Sequence, residues 1–287
     1  MTDQATTLRG DAKPVTPIRQ PNRVISIAGG KGGVGKSMVA VNLAVLYAQR
    51  GSRTLALDGD VGMADLNLLL GVAPGHSLLD VAYGYPIDDV LVAAHGIHLL
   101  PGLNGSYTLA NLDERSRHAL WAAVDSLESR FDTLIVDTAA GIDALTVELA
   151  GSAAQVVVVA NPEPLSLADA YANLKALKQK QGLERAFVLP NRVRTPSEAD
   201  EVFGPLSALA DRFLGVALTP LPAIPFDASA PQSAAAGVPH VIQCPDAPAS
   251  RALKQVARRL DALARPDDRA GALRLFLNKS LKRENNG

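Results

Sequence analysis

Residues 24–37 read Val24-Ile25-Ser26-Ile27-Ala28-Gly29-Gly30-Lys31-Gly32-Gly33-Val34-Gly35-Lys36-Ser37. A short apolar run passes straight into glycines, and Lys36–Arg50 continues as an Ala/Leu/Val-rich stretch with a helical pattern. Gly30 to Ser37 fits G-x-x-x-x-G-K-[ST] in the strand-to-helix context that the motif requires. Glycines let successive backbone N–H groups turn inward around phosphate oxygens, and the helix N-terminus adds partial positive charge. Lys36 is placed to reach the β- and γ-phosphates of a nucleotide. Ser37 offers its hydroxyl to Mg²⁺, a hard cation that prefers oxygen ligands. Gly30, Lys31, Gly32, Gly33, Val34, Gly35, Lys36, Ser37 and Met38 are the candidate nucleotide contacts. Lys31 is a second lysine in the loop, at a position where the motif makes no demand.

Outward from this segment, apolar runs alternate with longer Ala/Leu-rich stretches. Strands are expected at Val24–Ala28, Thr54–Asp58, His98–Pro101, Thr133–Asp137, Gln155–Ala160, Ala186–Asn191 and, more weakly patterned, Val216–Leu221. They are apolar without strict alternation, as parallel strands buried on both faces are. Helical patterns cover Lys36–Arg50, Asp113–Arg130, Ser166–Gln181, Ser197–Phe213 and Ala247–Ala264. Repeated strand–helix–strand units predict one α/β domain over residues 22–265, a three-layer, mostly parallel twisted sheet flanked by helices. Asp58, at the end of the second run, and Asp60 just after it would face the crevice at the strand C-termini. Asp137 closes Leu134-Ile135-Val136-Asp137 as a Walker B acid does, with a water-mediated line to Mg²⁺.

Composition limits the alternatives. The 287 residues are 47% hydrophobic and 20% charged, enough for a sizeable core. With 28 Lys+Arg against 29 Asp+Glu, the net charge of −1 does not suggest a nucleic-acid-binding surface, and no direct nucleic-acid partner is expected. Cys244 is the single cysteine, so an internal disulfide or a cluster held by several cysteines of one chain is excluded. The five histidines, His76, His95, His98, His118 and His240, lack metal-ligand spacing. The polar start and the lack of a long apolar run point to a protein of a reducing compartment with neither signal peptide nor membrane span.

Both ends differ from the body. Residues 1–21 are polar and carry Pro14, Pro17 and Pro21, as expected of a flexible arm. In the tail, residues 266–287, Leu273, Phe276, Leu277 and Leu281 fall on one helical face. Arg269, Arg274, Lys279, Lys282 and Arg283 surround that stripe, and no acidic residue lies between Arg269 and Arg283. A short basic amphipathic helix of this kind suits either a membrane surface or docking on the domain itself.

Lys31-Gly32-Gly33-Val34-Gly35-Lys36-Ser37 resembles the deviant Walker A motif of the MinD/ParA family of ATPases. The resemblance implies ATP and Mg²⁺ as cofactors and a homodimer in which Lys31 crosses to the partner's ATP, giving a slow, dimer-dependent ATPase. It implies Lys31, Lys36 and Asp60 as catalytic residues. Asp60 would position the attacking water near Mg²⁺, which Ser37 and Asp137 also serve. Thr138-Ala139-Ala140-Gly141 resembles switch II, although many members have Pro where Ala139 or Ala140 stands here. Asn191 and Arg192 are similar to the adenine-recognition site, and Ile224-Pro225-Phe226-Asp227 to the loop that closes over adenine.

Asp60 to Asn67 and Glu163 to Tyr171 resemble the flagellar branch, and Asp3-Gln4-Ala5-Thr6-Thr7-Leu8-Arg9 matches the D-Q-A-x-x-L-R motif of the FlhG (FleN) flagellar number regulators. Asp3, Gln4, Ala5, Leu8 and Arg9 would then stimulate an FlhF-type signal-recognition GTPase. Leu273, Phe276, Leu277, Leu281, Arg274, Lys279 and Lys282 would hold the chain reversibly at the inner face of the cell membrane. Flagellar transcriptional activators and C-ring proteins are further partners that the resemblance implies. Ala64-Asp65-Leu66-Asn67 exchanges the polar pair of many flagellar members. Positioning of a division site or other cargo, and a nucleotide-bound recruitment scaffold, are the alternative functions.

Overall fold

The computed structural model describes residues 23–60, 64–102, 113–127 and 130–264. The arm with Asp3, Gln4, Ala5, Leu8 and Arg9, the segment Val61-Gly62-Met63, and the basic amphipathic tail lie outside the described residues.

The chain opens with β1 (Arg23–Ala28), α1 (Lys36–Gln49), β2 (Thr54–Gly59) and three short helices, α2 (Leu66–Leu69), α3 (Leu78–Ala82) and α4 (Ile87–Val90). The hairpin β3 (Val92–Ala94) and β4 (Ile97–Leu100) leads to α5 (Glu114–Ser126), β5 (Thr133–Thr138), α6 (Ala144–Ser152) and β6 (Gln155–Ala160). Then come α7 (Pro164–Gln181), β7 (Arg185–Val193), α8 (Pro196–Leu214), β8 (Ala217–Pro220) and β9 (Ile224–Pro225). The last elements are α9 (Ala230–Ala235), α10 (His240–Gln243) and α11 (Pro248–Leu263).

The strand order is β3-β4-β2-β5-β1-β6-β7-β8, with β9 beside the end of β7. Among the described residues only β3 runs antiparallel. It is joined to β4 by His95 and Gly96, both at positive φ, as a tight two-residue hairpin turn needs. β1 pairs with both β5 and β6, so the chain leaves it in one direction and later returns on its other side. Ligand crevices of open α/β sheets form at such a reversal, at the strand C-termini.

Alternation along each strand builds two cores. Ile25 and Ile27 of β1, Ile135 of β5, Val157 and Val159 of β6, and Leu189 of β7 pack with α1 and α11. Val24, Leu134 and Val136 face α3 and α5 on the opposite side, while Val156, Val158 and Val188 face α7 and α8. α1 is buried from Val39 to Tyr47, as expected of a helix that is apolar on all sides. α11 instead buries Ala249, Ala252, Leu253, Val256, Ala257 and Leu260 at helical spacing and leaves Arg251, Arg258 and Arg259 exposed. Among the described residues no helix is long and apolar enough to cross a membrane.

All seven expected strands and five expected helices are present, with small shifts at their ends. One shift matters for the site. Arg192 does not follow the strand but, like Asn191, belongs to it, because β7 runs on to Val193 where β9 supplies a late parallel partner.

Candidate nucleotide site

The phosphate loop joins β1 to α1, and its geometry follows from its glycines. Gly33 and Gly35 have φ of 77° and 98°, values that favour glycine strongly. A side chain at Gly30 would run into the backbone carbonyl of Asp169 in α7, and one at Gly35 into the Asn191 amide. At Gly32 and Gly33 a Cβ would meet open space, so the inner face of the loop is a cradle free of side chains. α1 has no side-chain cap on its first turn. Its leading N–H groups are available to an anion there.

Beneath the loop lies a tight electrostatic cluster. Asp58 and Asp137 sit opposite one another in the register of β2 and β5. Both are nearly inaccessible, as is Lys36. Burial raises the Asp137 carboxyl to about 7, against the opposing influence of the Ser37 hydroxyl and Lys36. One of its oxygens, Oδ1, has no hydrogen-bond partner. Burial likewise raises Asp58 to about 6, although its two oxygens accept from the N–H groups of Asp60 and Leu66, each at 3.1 Å. Lys36 is lowered by burial, with Asp137 and Asp60 pulling the other way. Asp58 thus pins both ends of the segment carrying Asp60.

The structure brings Lys36, Ser37, Asp60 and Asp137 together as the sequence predicts. Among the described residues no three His, Cys, Asp or Glu side chains form a metal cage. The orphaned Asp137 Oδ1, the Ser37 hydroxyl and the open glycine cradle fit a magnesium nucleotide.

Lys31 is half-buried and pairs with Glu163, the residue before α7, at 2.5 Å. That contact holds the Glu163 carboxyl below its ordinary range. Behind the loop, Asn191 Nδ2 donates to the Val34 carbonyl at 2.7 Å, and its Oδ1 is buried without a partner. Asn161 joins it from β6. With its amide turned to satisfy its donors, it donates to Asn191 O at 3.1 Å and to Val34 O at 3.2 Å. Sequence reasoning missed Asn161, although Asn161-Pro162-Glu163 directly after an apolar run is a visible signal.

Arg192, at φ 58°, is exposed beside Asn191. Pro225 pairs with Val193, and the Phe226 N–H donates to Val193 O at 2.8 Å, so the loop at 224–227 borders the two candidate base contacts. Met38 lies in the first turns of α1, its carbonyl accepting from Asn42 at 2.7 Å. In the switch II segment, Asn173 and Lys180 of α7 donate to the carbonyls of Gly141 and Ile142 at 3.0 and 3.3 Å.

A parallel sheet with a phosphate loop at its reversal point and acids on the neighbouring strand ends defines a P-loop ATPase. The chain belongs to the family of the CobQ/CobB/MinD/ParA nucleotide binding domain, whose model matches residues 25–240. It is 36% identical over 261 residues to the antiactivator FleN of Pseudomonas aeruginosa, covering 90% of this chain and 93% of FleN. The solved cell division ATPase MinD of Pyrococcus furiosus superimposes with a TM-score of 0.68 at 30% identity, over 85% of this chain and all of that one. The septum site-determining protein MinD of Pyrococcus horikoshii, solved with Mg-ADP, gives 0.69 at 27% identity over 84% of this chain and 97% of that one.

The raised carboxyls have a consequence for stability. An acid whose folded pKa exceeds its unfolded value stabilises the protein below the unfolded value and loses that contribution as pH rises through the folded one. For Asp137 the window runs from 3.8 to about 7. Asp137→Asn should therefore melt above the wild type at pH 8 without nucleotide, by on the order of 1–3 kcal/mol, with the gap closing towards pH 4. A gap independent of pH in thermal melts would contradict this.

Proposed function

We propose that the chain is an ATP-gated dimer switch that regulates flagellar number and placement, bound reversibly at the inner face of the cell membrane. The observation that carries this reading is Lys31, a second lysine on the phosphate loop whose partner, Glu163, is exposed. A solvent-screened ion pair is weak and exchanges readily, so Lys31 can leave Glu163 for the phosphates of a facing subunit. There it would supply charge where the transition state needs it, as an arginine finger does. Lys36 would hold the β- and γ-phosphates, and Asp60 would orient the attacking water. Mg²⁺, when bound beside Ser37 and Asp137, would offset the phosphate charge. Asn191, Arg192 and Pro225 would take the adenine.

ATP then acts as a timer. Two chains joined across two nucleotides bring two copies of the tail to one membrane patch, and paired weak anchors hold by avidity where one does not. Hydrolysis separates the chains and releases them. The similarity to FleN over nine-tenths of the chain supports the flagellar branch. So does the D-Q-A-x-x-L-R match at Asp3 to Arg9, through which the arm would dock on an FlhF-type GTPase. A flagellar transcriptional activator and C-ring proteins are the further partners of this reading.

A peptide of residues 1–20 should accelerate GTP hydrolysis by the cognate FlhF-type GTPase, and the same peptide with Gln4→Ala should not. Equal rates with and without either peptide would leave a positioning ATPase of the division-site type. With ATP and Mg²⁺ the full chain should co-sediment with vesicles containing anionic lipid, whereas the chain ending at residue 264 should stay in the supernatant. Retention of the shortened chain on vesicles would remove the tail from the account.

A further inference from the structure

A buried chain of polar contacts lies behind the base-side loop, apart from the phosphate cluster. His240, at the start of α10, is 1% exposed, and Ser233 of α9 is 2% exposed. Ser233 Oγ stands 2.9 Å from His240 Nδ1. On the other side of the ring, Nε2 lies 3.5 Å from Asp227 Oδ2, an electrostatic contact longer than a hydrogen bond, and has no hydrogen-bond partner. Ser233 has one hydroxyl hydrogen, and its next acceptor, Ser229 O, is further away at 3.4 Å. Donation from Ser233 makes Nδ1 the acceptor, so Nε2, on the Asp227 side, is the ring's N–H.

One end of this chain lies on the base-side loop, and the residue after His240 reaches α1. Asp227 closes the loop that contains Pro225, and it is held by Ser229 N at 3.0 Å, Ser229 Oγ at 2.5 Å and Ala249 N at 3.2 Å. Despite its burial, those hydrogen bonds and His240 keep its carboxyl below the ordinary range. Next to His240, the Val241 N–H donates to Asn42 Oδ1 of α1 at 2.8 Å. α1 is the helix that begins with Lys36 and Ser37. The His240 carbonyl also accepts from Ser250 at 3.2 Å in α11. The His240 ring thus meets the base-side loop at Asp227, while the backbone of the next residue, Val241, is anchored to the helix of the phosphate loop.

Ser, His and Asp in this order are the residue types of a nucleophilic relay, but Ser233 and His240 are sealed from solvent. We infer that Ser233, His240 and Asp227 form a positioning relay that fixes Pro225 relative to the phosphate loop, and so sets how tightly the purine end of ATP is held. The inference rests on the reading above that Asn191, Arg192 and Pro225 receive the base. Among the described residues, the polar contacts of the His240 ring, Ser233 Oγ and the Asp227 carboxylate all lie within the 227–249 segment and none goes to Lys36. Their effect should therefore be confined to the base end of the ligand.

The test compares ATP with inorganic tripolyphosphate, which has the phosphates and no base, by calorimetric titration of the full chain with Mg²⁺. His240→Leu should weaken ATP about tenfold and leave tripolyphosphate within about twofold of the wild type. His240→Gln, which keeps a donor near the Nε2 position, should restore most of the ATP affinity. Ser233→Ala removes only a hydroxyl and should show a smaller loss of the same selective kind, which serves if the leucine variant fails to fold. Wild-type ATP affinity in both His240→Leu and Ser233→Ala, or equal losses for the two ligands, would overturn the relay. A wild type that binds tripolyphosphate as tightly as ATP would instead overturn the base-site reading on which it rests.

Discussion

In the parallel pairing of β2 with β5, Asp58 stands opposite Asp137, and both carboxylates are sealed from water. Adjacent strands lie about 4.8 Å apart, so the two acids share one small low-dielectric volume with the Lys36 ammonium. Burial makes both acids hold their protons more tightly, the neighbouring carboxylates add to that, and Lys36 opposes it only in part at Asp137. The site is therefore short of positive charge before any ligand arrives. Ser37 and Asp137 would hold a divalent cation there, whose charge would relieve that shortage, and Asp58 links the same strand ends to the segment carrying Asp60. Much of the remaining architecture keeps this arrangement in register. α1 is packed on every side, two asparagines grip the Val34 carbonyl, and α7 presses its backbone against Gly30.

The phosphate loop is thus fixed from behind and open in front. Lys31 lies on that open side, joined to Glu163 rather than to the buried cluster. A rigid loop with one weakly tethered lysine suits recognition of a second nucleotide in a facing chain. Leu165, two residues after Glu163, is exposed, as is Ile142, which follows the switch II segment.

The sheet was legible because its parallel strands are continuous apolar runs, and the phosphate loop because glycine, lysine and serine there have few other uses in such a context. Other features were hidden for physical reasons. β3 is three residues long and only partly buried, so its composition carries no strand signal. α6 is apolar around much of its circumference, which erases helical periodicity, although Asp143 caps it by accepting from the Thr146 N–H. Arg192 and Val193 fell beyond the expected strand because the partner that extends β7 is the two-residue β9, which carries no pattern of its own. Val241, next to His240, donates to Asn42 about two hundred positions away, and no local spacing announces such a contact.

The central claim is that ATP is shared between two chains through Lys31. Sedimentation velocity of Asp60→Ala with ATP and Mg²⁺ tests it most directly, with Lys31→Ala/Asp60→Ala beside it. Blocking hydrolysis with intact Lys31 should give a dimer, and removing Lys31 from the same background should give a monomer that still binds ATP. Dimers in both proteins, or monomers in both while ATP is bound, would contradict the account.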